Sequence, residues 1–177
     1  MSIGWAIISA GDYADSRGAP GINQADGAEL VAVHSRDQGR SETFAEKHGA
    51  IIAYTSVEDV LSDSRIDAVY ITSPNHLHAQ YTTMAANAGK HVLVEKPLSL
   101  NMAEGAQVLQ VCRDRGVKLG LGLHLRHHPG HIETRRLVSE GTLGTVALAQ
   151  SQIGQGERGN VYPEPRAGLR DWWTHPE

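Results

Sequence analysis

Four short runs combine reactive residue types with positions where a fold could present them. Ser9-Ala10-Gly11-Asp12-Tyr13-Ala14 follows an apolar run from Ile3 to Ile8. Its spacing is that of the dinucleotide-binding turn G-x-G-x-x-G/A, whose small residues let a pyrophosphate approach the backbone at a helix start. Gly11 takes the second position, Ala14 the third, and Ser9 stands where the first glycine is usual. An ordinary strand-to-helix turn can carry the same residues, so its place after the first strand is what singles it out. A second apolar run ends in Val33-His34-Ser35-Arg36, with Arg40 one turn on. NAD sites place an Asp or Glu here to accept from the ribose 2′-hydroxyl. A hydroxyl and guanidinium groups suit a 2′-phosphate instead, so NADP is the expected cofactor, with NAD as the other possibility.

The third run is Thr72-Ser73-Pro74-Asn75-His76-Leu77-His78. At the carboxyl edge of a parallel sheet it would face a cofactor crevice, while Asn75 could equally serve as an N-cap. The fourth is Glu95-Lys96-Pro97. A lysine at such an edge can move a proton to or from a reacting oxygen, and burial would lower its pKa toward that task. His124, His127, His128 and His131 have spacings that could gather a transition metal, but Pro129 interrupts them and no carboxylate or cysteine joins them. They are expected to be helix-start and pocket groups, with no metal bound.

These runs need elements to hold them. Strand-length apolar segments alternate with helix-length ones: Ile3 to Ile8, Glu29 to Val33, Ala68 to Thr72, His91 to Val94 and Val117 to Leu121 read as five strands. Asp37 to His48, His76 to Asn87, Met102 to Arg115 and Pro129 to Glu140 read as helices, stopped by Gly49, Gly89, Gly116 and Gly141. Asn101 is the expected cap of the third of these. Pro20 argues against a helix after the first turn. Short strands that are apolar throughout imply an α/β fold, a doubly wound parallel sheet covered on both faces. Val146 to Ile153 could add a strand, after which Gly, Pro and charge dominate until Trp172-Trp173.

The chain has 177 residues, with 16 Lys+Arg against 20 Asp+Glu, a formal charge of −4 and one cysteine, Cys112. No basic block offers a nucleic-acid footprint, and no apolar run approaches a membrane span. The start lacks the charged and apolar stretches of a signal peptide, and one cysteine permits no internal disulfide. A cytoplasmic location is expected.

From Ile3 to Gly144, about four-fifths of its length, the chain resembles the N-terminal part of the glucose-fructose oxidoreductase/inositol dehydrogenase (Gfo/Idh/MocA) family. The matching residues are Ala10 to Ala14, Ser35-Arg36, Ser73-Pro74-Asn75 with His78, the run Ala88 to Pro97, and Arg126 with Pro129. Within the family, His124-Leu125-Arg126 is similar to the NADP-dependent sugar reductases of the 1,5-anhydrofructose reductase type. The resemblance implies a Rossmann domain, placed at residues 1–122, and a crossover helix opening an incomplete substrate and dimerisation domain at 123–177. It implies that Lys96 contacts the reacting hydroxyl or carbonyl of a sugar or polyol, with Glu95 near the nicotinamide end. His124 and Arg126 would lie where the chain crosses toward the substrate. Family members continue into a Gly-rich turn and an Asp-x-x-x-His motif whose histidine commonly transfers the proton. Asp171 and His175 have that spacing, but precede the expected turn and are read as unrelated to it. The expectation is therefore an N-terminal piece of an oxidoreductase that forms homo-oligomers only with the remaining domain present. The alternative is a non-catalytic dinucleotide-binding module or a subunit completed by a partner.

Overall fold

The computed structural model describes residues 2–151. Strand β1 (Ile3–Ile8) lies near the middle of the sheet because it is apolar toward both faces: Ala6 and Ile8 enter one core, Ile7 the other. The remaining strands are β2 (Ala28–His34), β3 (Ile52–Tyr54), β4 (Ala68–Ile71), β5 (His91–Val94) and β6 (Leu119–Leu121). Every pairing is parallel and the order is β3-β2-β1-β4-β5-β6. This is the doubly wound dinucleotide-binding order, whose direction reverses between β1 and β4. Helices α1 (Ala19–Gln24) and α2 (Gln38–His48) cover the Ile7 face through Ala19, Ile22, Phe44 and Ala45. On the other face, α3 (Val57–Ser62) and α4 (His78–Asn87) supply Val57, Val60, Leu61 and Ala85. Helix α5 (Met102–Asp114) packs Val108 and Cys112 with Ala86 of α4. Two covered faces explain strands that are apolar almost residue by residue.

Six strands replace the five expected. Strand β3 is three residues, too short to carry a period of its own. It forms because Ala32, Val33 and His34 offer it a ladder, pairing with Ile52, Ala53 and Tyr54. Helix α3 follows at once, capped by Ser56, whose hydroxyl accepts the Asp59 amide at 3.2 Å. Pro20 does not prevent a helix. A π-helical turn (Ala14–Gly18) widens the chain just before it, and Pro20 falls in the first turn of α1, where a missing N–H costs nothing. Asn75 is not a cap either: a 3-10 turn (Asn75–Leu77) precedes α4, and neither element takes a side-chain cap. Asn101 does cap α5, accepting the Glu104 amide at 3.0 Å, while Glu104 reaches back to the Leu100 amide. The glycines at 49, 89, 116 and 141 all take the left-handed φ expected of helix stops.

Two positions in this framework admit little change. A Cβ on Gly4 would lie 2.0 Å from the Arg65 carbonyl oxygen, so β1 can approach the α3–β4 connection only with glycine there. The Lys90 ammonium donates to the carbonyls of Asp63 and Ile66 at 2.9 and 2.8 Å, closing the same connection from the other side.

The chain divides into a compact unit of residues 1–123 and a second beginning at His124. The second unit opens with a 3-10 turn (His124–His127) and α6 (Pro129–Ser139). Within it, His128 Nδ1 caps α6 by accepting the Gly130 amide at 3.2 Å, and His131 Nδ1 lies 2.6 Å from the Leu125 carbonyl oxygen. Residues 146–151 form no regular element; the end of the expected strand, Trp172-Trp173, Asp171 and His175 lie outside the described residues. Among the described residues no helix is long and apolar enough to cross a membrane.

Candidate functional site

The carboxyl ends of β1, β2, β4 and β5 bring the four reactive runs to one edge of the sheet, around the point where the strand order reverses. Such an edge is where open parallel sheets bind ligands. At the end of β1, Ser9 adopts φ 70°, the left-handed conformation that its glycine counterpart reaches without strain. Three contacts hold it there. The Ser9 amide donates to His34 Nδ1 at 3.2 Å, its carbonyl accepts from Thr72 Oγ1 at 2.9 Å, and the next amide, of Ala10, donates to the His34 carbonyl at 2.8 Å. The turn then enters the helix, where the Asp15 amide donates to the Gly11 carbonyl at 2.8 Å. Among the described residues, a Cβ built on Gly11 meets only the Ser9 carbonyl oxygen, at 3.9 Å. The space over Gly11 is therefore open, while Ala10 and Ala14 are buried beneath it.

At the end of β2, Ser35 is buried, and its Oγ accepts the Asp37 amide at 3.3 Å, leaving the hydroxyl hydrogen to donate. Arg36 and Arg40 are exposed, and neither guanidinium pairs with a carboxylate among the described residues. Asp37 caps α2 by accepting the Arg40 amide at 2.7 Å. After β4, Ser73 is buried and Asn75 is half-buried, its amide without a side-chain partner among the described residues.

The Glu95 carboxylate at the end of β5 is the most enclosed charged group of the edge. Tyr70 Oη donates to its Oε1 at 2.7 Å, and the Tyr13 hydroxyl lies beside both groups. Burial, followed by contact with Glu95, pushes the Tyr70 phenol far above its ordinary range; burial and then Glu95 also raise Tyr13. Two glycines make the arrangement possible. A Cβ on Gly122 would lie 2.5 Å from Glu95 Oε1, and one on Gly18 would lie 3.1 Å from the Tyr70 ring. Tyr13 thus links the turn after β1 to the end of β5. Lys96, next in sequence, is exposed, so the burial expected of it is not supplied here.

His78 does not offer its ring to the crevice. It is 1% exposed, with Nδ1 2.5 Å from the Pro97 carbonyl oxygen and Nε2 2.9 Å from that of Ser73. Its place is between the loops that carry Ser73 and Lys96, which it ties together. His124 and Arg126 belong to the second unit, on its opening 3-10 turn. His34, Tyr70 and Gly122 join the site without being among the expected site residues. The available signal was a polar residue inside or closing an otherwise apolar strand.

The donor set fits a dinucleotide. Among the described residues, Gly11 leaves room for a pyrophosphate against the backbone, and Ser35 with two guanidiniums that pair with no carboxylate suits a phosphate on the adenosine ribose. Among the described residues no group of three or more His, Cys, Asp or Glu could hold a metal ion.

Residues 3–123 match the sequence profile described as an oxidoreductase family with an NAD-binding Rossmann fold. The 1,5-anhydro-D-fructose reductase of Ensifer adhaerens is 36% identical over 146 residues, covering 82% of this chain and 44% of that protein. The D-xylose 1-dehydrogenase (NADP(+)) 2 of Haloferax volcanii is 41% identical over 130 residues, 73% of this chain and 40% of its own length. A crystal structure of KijD10, a 3-ketoreductase from Actinomadura kijaniata in complex with NADP, superposes with a TM-score of 0.75 at 32% identity, covering 81% of this chain and 46% of that one. The chain spans about half the length of the curated relatives it matches.

Proposed function

Because the chain belongs to the oxidoreductase family with an NAD-binding Rossmann fold, we propose that residues 1–122 are the NADP-binding domain of an enzyme that reduces or oxidises a sugar, polyol or related carbonyl compound. Residues from 123 onward would open the domain that shapes the substrate pocket, with His124 and Arg126 on the path toward it. The observation that carries this reading is the convergence, at one sheet edge, of the open Gly11 turn, the Ser35-Arg36 strand end and the Glu95-Lys96 pair.

Nicotinamide, when bound, supplies or accepts the hydride. The chain's own residues do the rest. The turn from Ser9 to Ala14 seats the pyrophosphate, and Ser35, Arg36 and Arg40 hold the 2′-phosphate. Ser73, Pro74 and Asn75 line the crevice between the two halves of the sheet. Glu95, held by the Tyr70 hydroxyl, lies toward the nicotinamide end on this reading. Lys96 Nζ, as the ammonium, gives a proton to the substrate oxygen in reduction and, as the neutral amine, takes the hydroxyl proton in oxidation.

Support for NADP over NAD comes from the arginines that pair with no carboxylate among the described residues and from relatives named or crystallised with NADP. Arg36→Ala should weaken NADPH binding about 10-fold or more, the loss of one charge-assisted contact, and leave NADH nearly unchanged. Fluorescence titration of both cofactors measures this. Equal weakening of both would remove Arg36 from 2′-phosphate recognition.

A further inference from the structure

We propose that the neutral His34 ring is the positioning group that holds the turn after β1 in its ligand-ready form, and that protonating this ring releases the turn. The proposal rests on the dinucleotide reading of that turn.

His34 closes β2 and is 2% exposed. Its Nδ1 accepts the amide of Ser9 at 3.2 Å, and its backbone carbonyl accepts the amide of Ala10 at 2.8 Å. A single residue therefore fixes two consecutive amides of the turn, including the one whose residue sits at φ 70°. An amide N–H can only donate, so the ring nitrogen facing it must carry a lone pair. In the neutral ring the hydrogen then sits on the other nitrogen, Nε2. The ring is consequently held as the Nε2–H tautomer. A proton added at Nδ1 would set two donors against each other and break the contact that keeps Ser9 in its left-handed conformation. Glycine at position 9 would hold that conformation by itself; serine needs an outside hold, and the histidine supplies one.

The surroundings favour the neutral ring. Burial is the main cause holding His34 below the ordinary imidazole value, and Arg36, at the end of the same strand, acts in the same direction. Glu58 on α3 and the Thr55 carbonyl oppose it. Tyr54, opposite on β3, turns its hydroxyl to Asp63 and not to the ring. A ring that resists protonation in the native fold binds fewer protons than the unfolded chain, so stability falls as pH drops below about 6.5, while ligand binding falls only at the lower pH where the folded ring itself takes up a proton.

The test compares NADP+ affinity of the 177-residue chain and of His34→Asn by calorimetry from about pH 7.5 to 4.5. Asparagine offers an acceptor near Nδ1 that cannot titrate, and the ligand's own 2′-phosphate titrates alike against both proteins. Expected are similar affinities at the upper end, and a wild-type affinity that falls about threefold or more relative to the variant on acidification. His34→Leu, which leaves the Ser9 amide unpaired, should bind more weakly at every pH. Superimposable pH profiles of wild type and His34→Asn would overturn the inference alone. Absence of NADP+ binding at every pH would overturn the dinucleotide reading and the inference with it. Should the variants not fold, nitrogen NMR of the wild-type ring decides: Nε2–H with a bare Nδ1 at neutral pH supports the proposal, and a protonated Nδ1 refutes it.

Discussion

Lys96→Ala is expected to lower turnover of the catalytically complete enzyme by about 10²–10⁴-fold, the usual worth of a positioned acid–base group, with NADP affinity nearly unchanged. The separation follows from geometry. Lys96 extends the end of β5 and is exposed, so it holds up none of the fold; the carboxylate that does belong to the buried framework is its neighbour Glu95. Lys96→Arg should be nearly as inactive, because guanidinium keeps the charge but does not give up a proton near neutrality. Steady-state kinetics set against cofactor titration distinguishes the outcomes. A loss of affinity as large as the loss of turnover would make Lys96 a cofactor ligand instead.

Gly11→Leu should abolish saturable NADPH binding, a loss of at least about 10²-fold, while the chain stays folded. Among the described residues a Cβ at this position meets nothing closer than 3.9 Å, and its φ is not in the left-handed region, so stability should change by no more than about 0.5 kcal/mol. The same open space is what the pyrophosphate would need, and a leucine side chain fills it. Gly4 shows the opposite case: its Cβ would strike a carbonyl oxygen at 2.0 Å, so substitution there attacks the fold and not the ligand. Urea denaturation and NADPH titration, run on the same Gly11→Leu preparation, give the two readings. Retained binding would move the pyrophosphate away from this turn.

Much of the architecture is readable along the chain because its information is local. Apolar strands such as Ala68 to Ile71, helix stops such as Gly49 and the Asn101–Glu104 capping box each lie within a few residues. What escapes is set by pairs far apart in sequence. Strand β3 exists only because β2 presents it a ladder, and three residues cannot announce that. The Tyr70–Glu95 contact joins adjacent strands, and Gly122 matters only because that carboxylate lies against it. Pro20 misleads because the π-turn that accommodates it has no composition of its own. His78 carries the spacing of a crevice residue, yet its ring is consumed by two carbonyls. His34 is hidden for a related reason: its value lies in facing Ser9, which β1–β2 pairing alone creates.

Titration calorimetry of the chain with NADPH and with NADH decides whether it is an NADP-binding domain. One saturable NADPH site per chain is expected, occupied more tightly than by NADH. No saturable binding of either cofactor, or tighter binding of NADH, would contradict that assignment.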